Sequence, residues 1–177
     1  MNEVLVADQQ EDHALDLKEW TGLAGRVLEA EGIHGELSLA FVSEAVMADL
    51  NQRFRGRSGP TDVLSFPIDD QVGGSDPFGE QPVMLGDVVV CPAVAARNAA
   101  NGAANNAAHN VAHDAGLHGH LLQDEMALLV VHGILHLGGM DHEDETEALA
   151  MEERERQLLA QCRSDHRIER LTSCRTP

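Results

Sequence analysis

The chain has 177 residues, with 12 Lys and Arg against 30 Asp and Glu and a formal net charge of -18. That length suits one domain with a substantial core, and the acidic balance argues against non-specific attachment to nucleic acid or anionic membrane. Three cysteines without C-x-x-C spacing suggest neither a disulfide framework nor a cysteine zinc site, and with no export signal or long apolar run the expectation is a cytoplasmic protein without a membrane span.

Taken in chain order, NEVLVAD reads as a strand. Leu15 to Glu31 reads as a helix in which Trp20, Leu23, Val27 and Leu28 recur at helical spacing before Gly32 ends it. In GELSLAFVS, Leu37, Leu39 and Phe41 alternate as in a strand with one buried face, and Ser43 is placed to cap the helix EAVMADLNQRF. DVLSFP and LGDVVVCP read as two further strands, the second closed by Pro92. Between them DDQVGGSDPFGEQP, rich in Gly, Pro and Asp, reads as a mobile loop. The Ala/Asn-rich stretch after Cys91 predicts a helix and then a flexible insertion at about 98–118, because Asn101, Gly102, Asn105 and Asn106 interrupt the alanine pattern.

Gln123 to Leu137 is almost wholly apolar past Glu125 and is expected to be the central buried helix. Glu143 to Ala160 reads as a charged helix carrying Leu149, Leu158 and Leu159, and the tail beyond Cys162 is expected to fray. The sum is a mixed α/β (α+β) domain over residues 1–177, with a small mixed sheet packed on helices around a central helix.

The chemistry lies at the end of that helix. HGILHLGGMDH puts His132 and His136 one turn apart on one face, and Gly138 and Gly139 allow a sharp reversal that returns His142 to the same ion. Three nitrogen ligands leave tetrahedral zinc one open position, where a bound water is acidified to a pKa of about 7, which points to hydrolysis. A lone histidine on a buried helix is usually a hydrogen-bonded core residue, but three around a double glycine form a ligand pattern. Zinc peptidases reading HExxHxxGxxH share the spacing yet need a glutamate after the first histidine as general base, and that position is Gly133. Asp141 adjoins a ligand and suits an orienting role; Asp87 could hold a ligand, face substrate or end a turn before its strand. His109, His113 and His118 in the Ala/Asn segment are read as solvent-exposed.

Positive charge is sparse except in RFRGRSGPTDVLSFP, where Arg53, Arg55 and Arg57 form a local patch. A guanidinium binds phosphate oxygens through paired hydrogen bonds and stays charged at every working pH. Arg53 and Arg57 equally suit the negative end of a helix dipole; with Asp87 they are candidate substrate contacts.

LNxxFRG at Leu50 to Gly56, PTDVLSFP at Pro60 to Pro67, LGDVVVCP at Leu85 to Pro92 and HGxLHLxGxDH at His132 to His142 stand in one order. Together they resemble the YbeY-type endoribonucleases of bacterial ribosomal RNA maturation, from about Leu37 to the helix after His142. The resemblance implies that His132, His136 and His142 bind one zinc ion and that Arg55 is the functionally important arginine, neutralising transition-state charge. It implies a zinc-dependent, single-strand-specific endoribonuclease acting in 16S rRNA 3′ end processing and ribosome quality control. Expected partners are single-stranded rRNA and the small ribosomal subunit, including a ribosomal protein and a Ras-like GTPase, and a basic partner would answer the charge problem. GHLLQDE around His120 matches a family segment with Leu121 in place of serine, and Met140 stands where the family generally has tyrosine, which costs an aromatic surface for base stacking. Two other readings stay open: a non-catalytic ribosome-assembly factor whose structural zinc gains a fourth ligand, with Cys162 folding back, and a metallopeptidase.

Overall fold

The structure is a computed structural model that describes residues 2–68, 83–107, 117–140 and 144–173. The Gly/Pro-rich loop between the last two strands, His109, His113, Asp141 and His142 lie outside the described residues. The elements are β1 (Glu3–Gln9), α1 (Leu17–Ala30), β2 (Glu36–Val42), α2 (Glu44–Arg55), β3 (Val63–Pro67), β4 (Met84–Val90), α3 (Pro92–Ala107), α4 (Leu117–Leu137) and α5 (Glu145–Ser173). The strands form a four-stranded sheet in the order β1-β2-β4-β3. β1 pairs parallel with β2, β2 parallel with β4, and β3 antiparallel with β4 along the other edge. A mixed α/β class with a small mixed sheet is therefore what the chain adopts.

Period-two alternation divides the sheet between two cores. Leu37, Leu39, Phe41, Val88 and Val90 turn to one face, where they pack with Trp20 and Val27 of α1 and with Met126, Val130 and Ile134 of α4. Val42, Leu64 and Val89 belong to the other, with Met47 of α2 and Val94 of α3. Phe41, Leu37 and Leu39 are fully buried, and each contributes roughly 1.5–3 kcal/mol through the surface it removes from water. α4 touches α1, α3, α5, β3 and β4, which is why a helix apolar on every side is stable there.

One local expectation is corrected, and two helices run further than the sequence reading placed them. Ser43 occupies the N-cap of α2 in extended geometry but makes no side-chain cap hydrogen bond, whereas Asp16 caps α1 by accepting from the Lys18 amide at 3.0 Å. α3 runs on to Ala107 through Asn101, Gly102, Asn105 and Asn106, since its many alanines and its packing on α4 outweigh a glycine cost of about 1 kcal/mol. α5 continues to Ser173, so the chain just past Cys162 is helical, in keeping with its arginine, glutamate and leucine content. Among the described residues no helix is long and apolar enough to cross a membrane.

Candidate active site

His132 and His136 stand on the last turns of α4 and line a groove of about 730 Å3 together with Phe54, Arg55, Arg57 and Asp62. Their Nε2 atoms face each other at 3.1 Å, with the rings edge-on at 79°. Two vertices of a tetrahedron with metal–nitrogen bonds of roughly 2.0–2.1 Å lie about 3.3 Å apart, a spacing close to that of these two nitrogens. Among the described residues no three His, Cys, Asp or Glu side chains gather as a metal set, and the expected third ligand, His142, is outside them. Behind His132 stands Glu155 of α5, its Oε1 2.8 Å from the histidine Nδ1.

The depth at which α4 seats on the sheet is set by a glycine. A Cβ on Gly133 would lie 2.6 Å from Val88 Cγ1, closer than packed atoms approach, and 3.1 Å from Ser65 Oγ, so any larger residue would force the helix or Val88 to shift. Ser65 Oγ donates to the Gly133 carbonyl at 3.2 Å and ties β3 to the helix at the same point. The residue that separates this chain from HExxH peptidases is thus a contact surface, with no room for a general base. The helix then stops in a Schellman motif: Met140 N bonds to Leu135 O at 3.0 Å and Gly139 N to His136 O at 3.0 Å, with Gly139 at φ 87°. Both glycines of the double glycine are spent on this turn, as its sequence suggested.

The opposite wall comes from the end of α2 and the loop after it. Gly56, at φ 64°, closes α2 in the left-handed region and its amide bonds to Gln52 O at 3.2 Å, which frees the chain to turn between Arg55 and Arg57. Buried Asn51 then donates from Nδ2 to Gly59 O at 2.8 Å and pins the loop. Arg55 and Arg57 reach the groove, exposed to solvent. Arg53 does not line it; its guanidinium pairs with Asp49 one helical turn earlier at 3.2 Å. Asp87 does not line it either. It lies inside β4, opposite Phe66 and Ser38, and alternation turns it away from the face on which Val88 meets α4. It therefore ends no turn before its strand.

A family model described as endoribonuclease YbeY matches residues 5–163. The chain belongs to this family. The Thermobifida fusca member is 43% identical over 140 residues, spanning 78% of this chain and 80% of that protein. The Pelotomaculum thermopropionicum member is 41% identical over 162 residues, 88% of this chain and 94% of that one. The solution structure of TM1509 from Thermotoga maritima superposes with a TM-score of 0.57 at 25% identity, covering 94% of this chain and 93% of that chain.

Set on the endoribonuclease YbeY fold, several groove residues emerge that the sequence pattern did not single out. Phe54 is 59% exposed and meets Phe66 edge-on with centroids 4.9 Å apart, so two aromatic rings line the groove beside Met140. The aromatic surface missing at Met140 is present one wall away. The signal for Phe54 was an aromatic residue flanked by arginines near the exposed end of an amphipathic helix. Asp62 accepts from Asn98 Nδ2 at 3.1 Å, and burial together with the Asp62 charge holds the Glu125 carboxyl above the usual carboxylate range, although its hydrogen bond with Asn98 pulls the other way. Glu155 was missed as well. Its signal was an acid set in the apolar stripe Met151, Leu158 and Cys162 of α5.

Proposed function

We propose that this chain is a zinc-dependent endoribonuclease of single-stranded RNA, with His132, His136 and His142 holding one ion and Arg55 acting on the scissile phosphate. The observation that carries the reading is the pair of Nε2 atoms 3.1 Å apart in a groove that Arg55 and Arg57 also line. A bound zinc ion supplies Lewis acidity at the phosphate. Arg55 offers paired donors to the phosphate oxygens and offsets the charge that grows on them as the bond breaks. Arg57 binds a neighbouring phosphate of the same strand. The exposed Phe54 ring, braced by Phe66, stacks a base, a contact every sequence can make and a duplex cannot.

With a net charge of -18 the whole molecule repels RNA at long range, and the two groove arginines act only at contact. We take the substrate to be ribosomal RNA near the 3′ end of 16S, met on the small subunit in the cytoplasm during maturation and quality control. A basic ribosomal protein and a Ras-like GTPase bring enzyme and RNA together, and the acidic surface favours such a basic partner. The scaffold alternative needs a closed coordination sphere. Cys162 lies two helical turns past Glu155, about 10 Å along α5, and is buried in the core.

The test is a cleavage assay on a single-stranded RNA oligonucleotide, with zinc content measured on the same sample. We expect about one zinc per chain, and loss of cleavage on chelation or in His136→Ala, with return on adding zinc to the parent. Equal cleavage by the parent, the chelated protein and His136→Ala would sink the reading.

A further inference from the structure

We propose that Glu155 is a positioning residue that fixes His132 in the tautomer a metal needs, so that α5 belongs to the metal site while giving it no ligand. The proposal rests on the zinc reading above. Glu155 Oε1 lies 2.8 Å from His132 Nδ1, and the two side chains are only 12% and 27% exposed, too sheltered for solvent to screen the pair as it would at the surface. An ionised carboxylate can only accept a hydrogen bond. Nδ1 therefore carries the proton, and Nε2, the atom that faces His136, keeps its lone pair. That is the form in which imidazole binds a metal, and a carboxylate behind the ring also raises its basicity as a ligand.

The carboxylate is held where this task requires it. Met151, Leu158 and Cys162 share its buried stripe, and an acid in such a stripe is costly unless it meets a donor. Next to it, Arg154 grips the Glu31 carboxylate through Nε at 2.7 Å and Nη2 at 2.6 Å, and donates to Ala30 O at 3.4 Å, locking α5 to the end of α1. The helix begins on Asp144, whose Oδ1 accepts from the Thr146 and Glu147 amides at 2.8 and 2.9 Å. With Glu155 fixed, His132 is oriented before any ion arrives. With His132 Nε2 unprotonated, His136 Nε2 is the donor of the bond between them in the metal-free protein, and to ligate through Nε2 as a neutral imidazole His136 must carry its proton on Nδ1 instead.

The test compares the full-length parent with Glu155→Gln, Glu155→Ala and, as a packing control on the same stripe, Met151→Ala. Zinc affinity is measured by competition with a chromophoric chelator, and the His132 tautomer by nitrogen NMR on zinc-free protein. We expect Glu155→Ala to weaken zinc binding about 10–100-fold and to move His132 toward the Nε2–H tautomer. Glu155→Gln, whose amide oxygen still accepts from Nδ1, loses less. Met151→Ala lowers the thermal midpoint but leaves affinity and tautomer as in the parent. If the parent binds zinc and Glu155→Ala binds it equally well, or if its His132 tautomer is unchanged, the positioning role is wrong while the zinc reading stands. If the parent binds no zinc, both fall.

Discussion

His132 and Arg55 line one groove, yet they are held in opposite ways. His132 sits on a helix pressed against Val88 through Gly133, with Glu155 behind its ring at 2.8 Å. Arg55 is the last residue of α2, exposed, with a left-handed glycine after it. On the proposed function, the difference follows from what each wall would bind. Metal ligands have to converge within a few tenths of an ångström, which requires packing and supporting hydrogen bonds. A single strand arrives in many conformations, so a wall that is to take its phosphates and bases, as proposed above, would work through long or exposed side chains on a pinned loop.

The largest effect tests the rigid wall. Gly133→Glu restores the letters of a HExxH peptidase, but it forces a Cβ to 2.6 Å from Val88 Cγ1 and a carboxylate into a buried contact. We expect a loss of at least about 3 kcal/mol, roughly 10 °C in the thermal midpoint, and no casein hydrolysis. Gly133→Ala should cost less, and the double variant with Val88→Ala should lose less than the two single losses added together, because Val88→Ala removes the clash. Thermal unfolding monitored by circular dichroism reads all three. A fully stable Gly133→Glu protein would mean that α4 is not seated on the sheet as described.

The opposite wall should give activity without stability. Arg55→Ala is expected to lower RNA cleavage about 10²-fold or more, while zinc content stays as in the parent and the thermal midpoint moves by less than about 2 °C. A midpoint drop comparable to that of Gly133→Ala would erase the contrast between the walls.

What could be read in the sequence divides along the same line. The strands, the buried helix and the two histidines one turn apart come from short-range periodicity, which composition and spacing express directly. The Ser65–Gly133 bond joins residues 68 apart and the Glu155–His132 bond residues 23 apart, so neither leaves a pattern in any single window. The arginines were legible as a group but not one by one. Asp49 and Arg53, four apart on one helix, were a pair in plain view, whereas Arg57 reaches the groove only because Gly56 turns the chain and Asn51 pins the loop.

Phe54 sharpens the comparison on a smaller scale. Phe54→Ala should raise KM for single-stranded RNA about tenfold, within the roughly 1–3 kcal/mol that stacking one base contributes, and Phe54→Tyr should restore it. Because the ring is 59% exposed, fold stability should change by no more than the edge-on contact with Phe66, about 0.5–1.5 kcal/mol. Unchanged KM for single-stranded RNA, with equal binding of duplex, would show that the ring takes no base.

The smallest effect lies where the walls meet. Asp62 lines the groove, and Glu125 reaches its neighbourhood from α4, with Asn98 between them. Burial first and the Asp62 charge second hold the Glu125 carboxyl above its ordinary value, so the folded protein binds this proton more tightly than the unfolded chain. With the folded value raised, the stability linked to this proton is full below the ordinary carboxylate range of about 4 and is lost as pH rises through the folded value. Glu125→Gln should therefore raise the thermal midpoint slightly at neutral pH, and the gain should close as pH falls toward 4. A gain that persisted at low pH would mean that shape, and not charge, governs this junction, and that the acidic residue is there for a reason other than its titration.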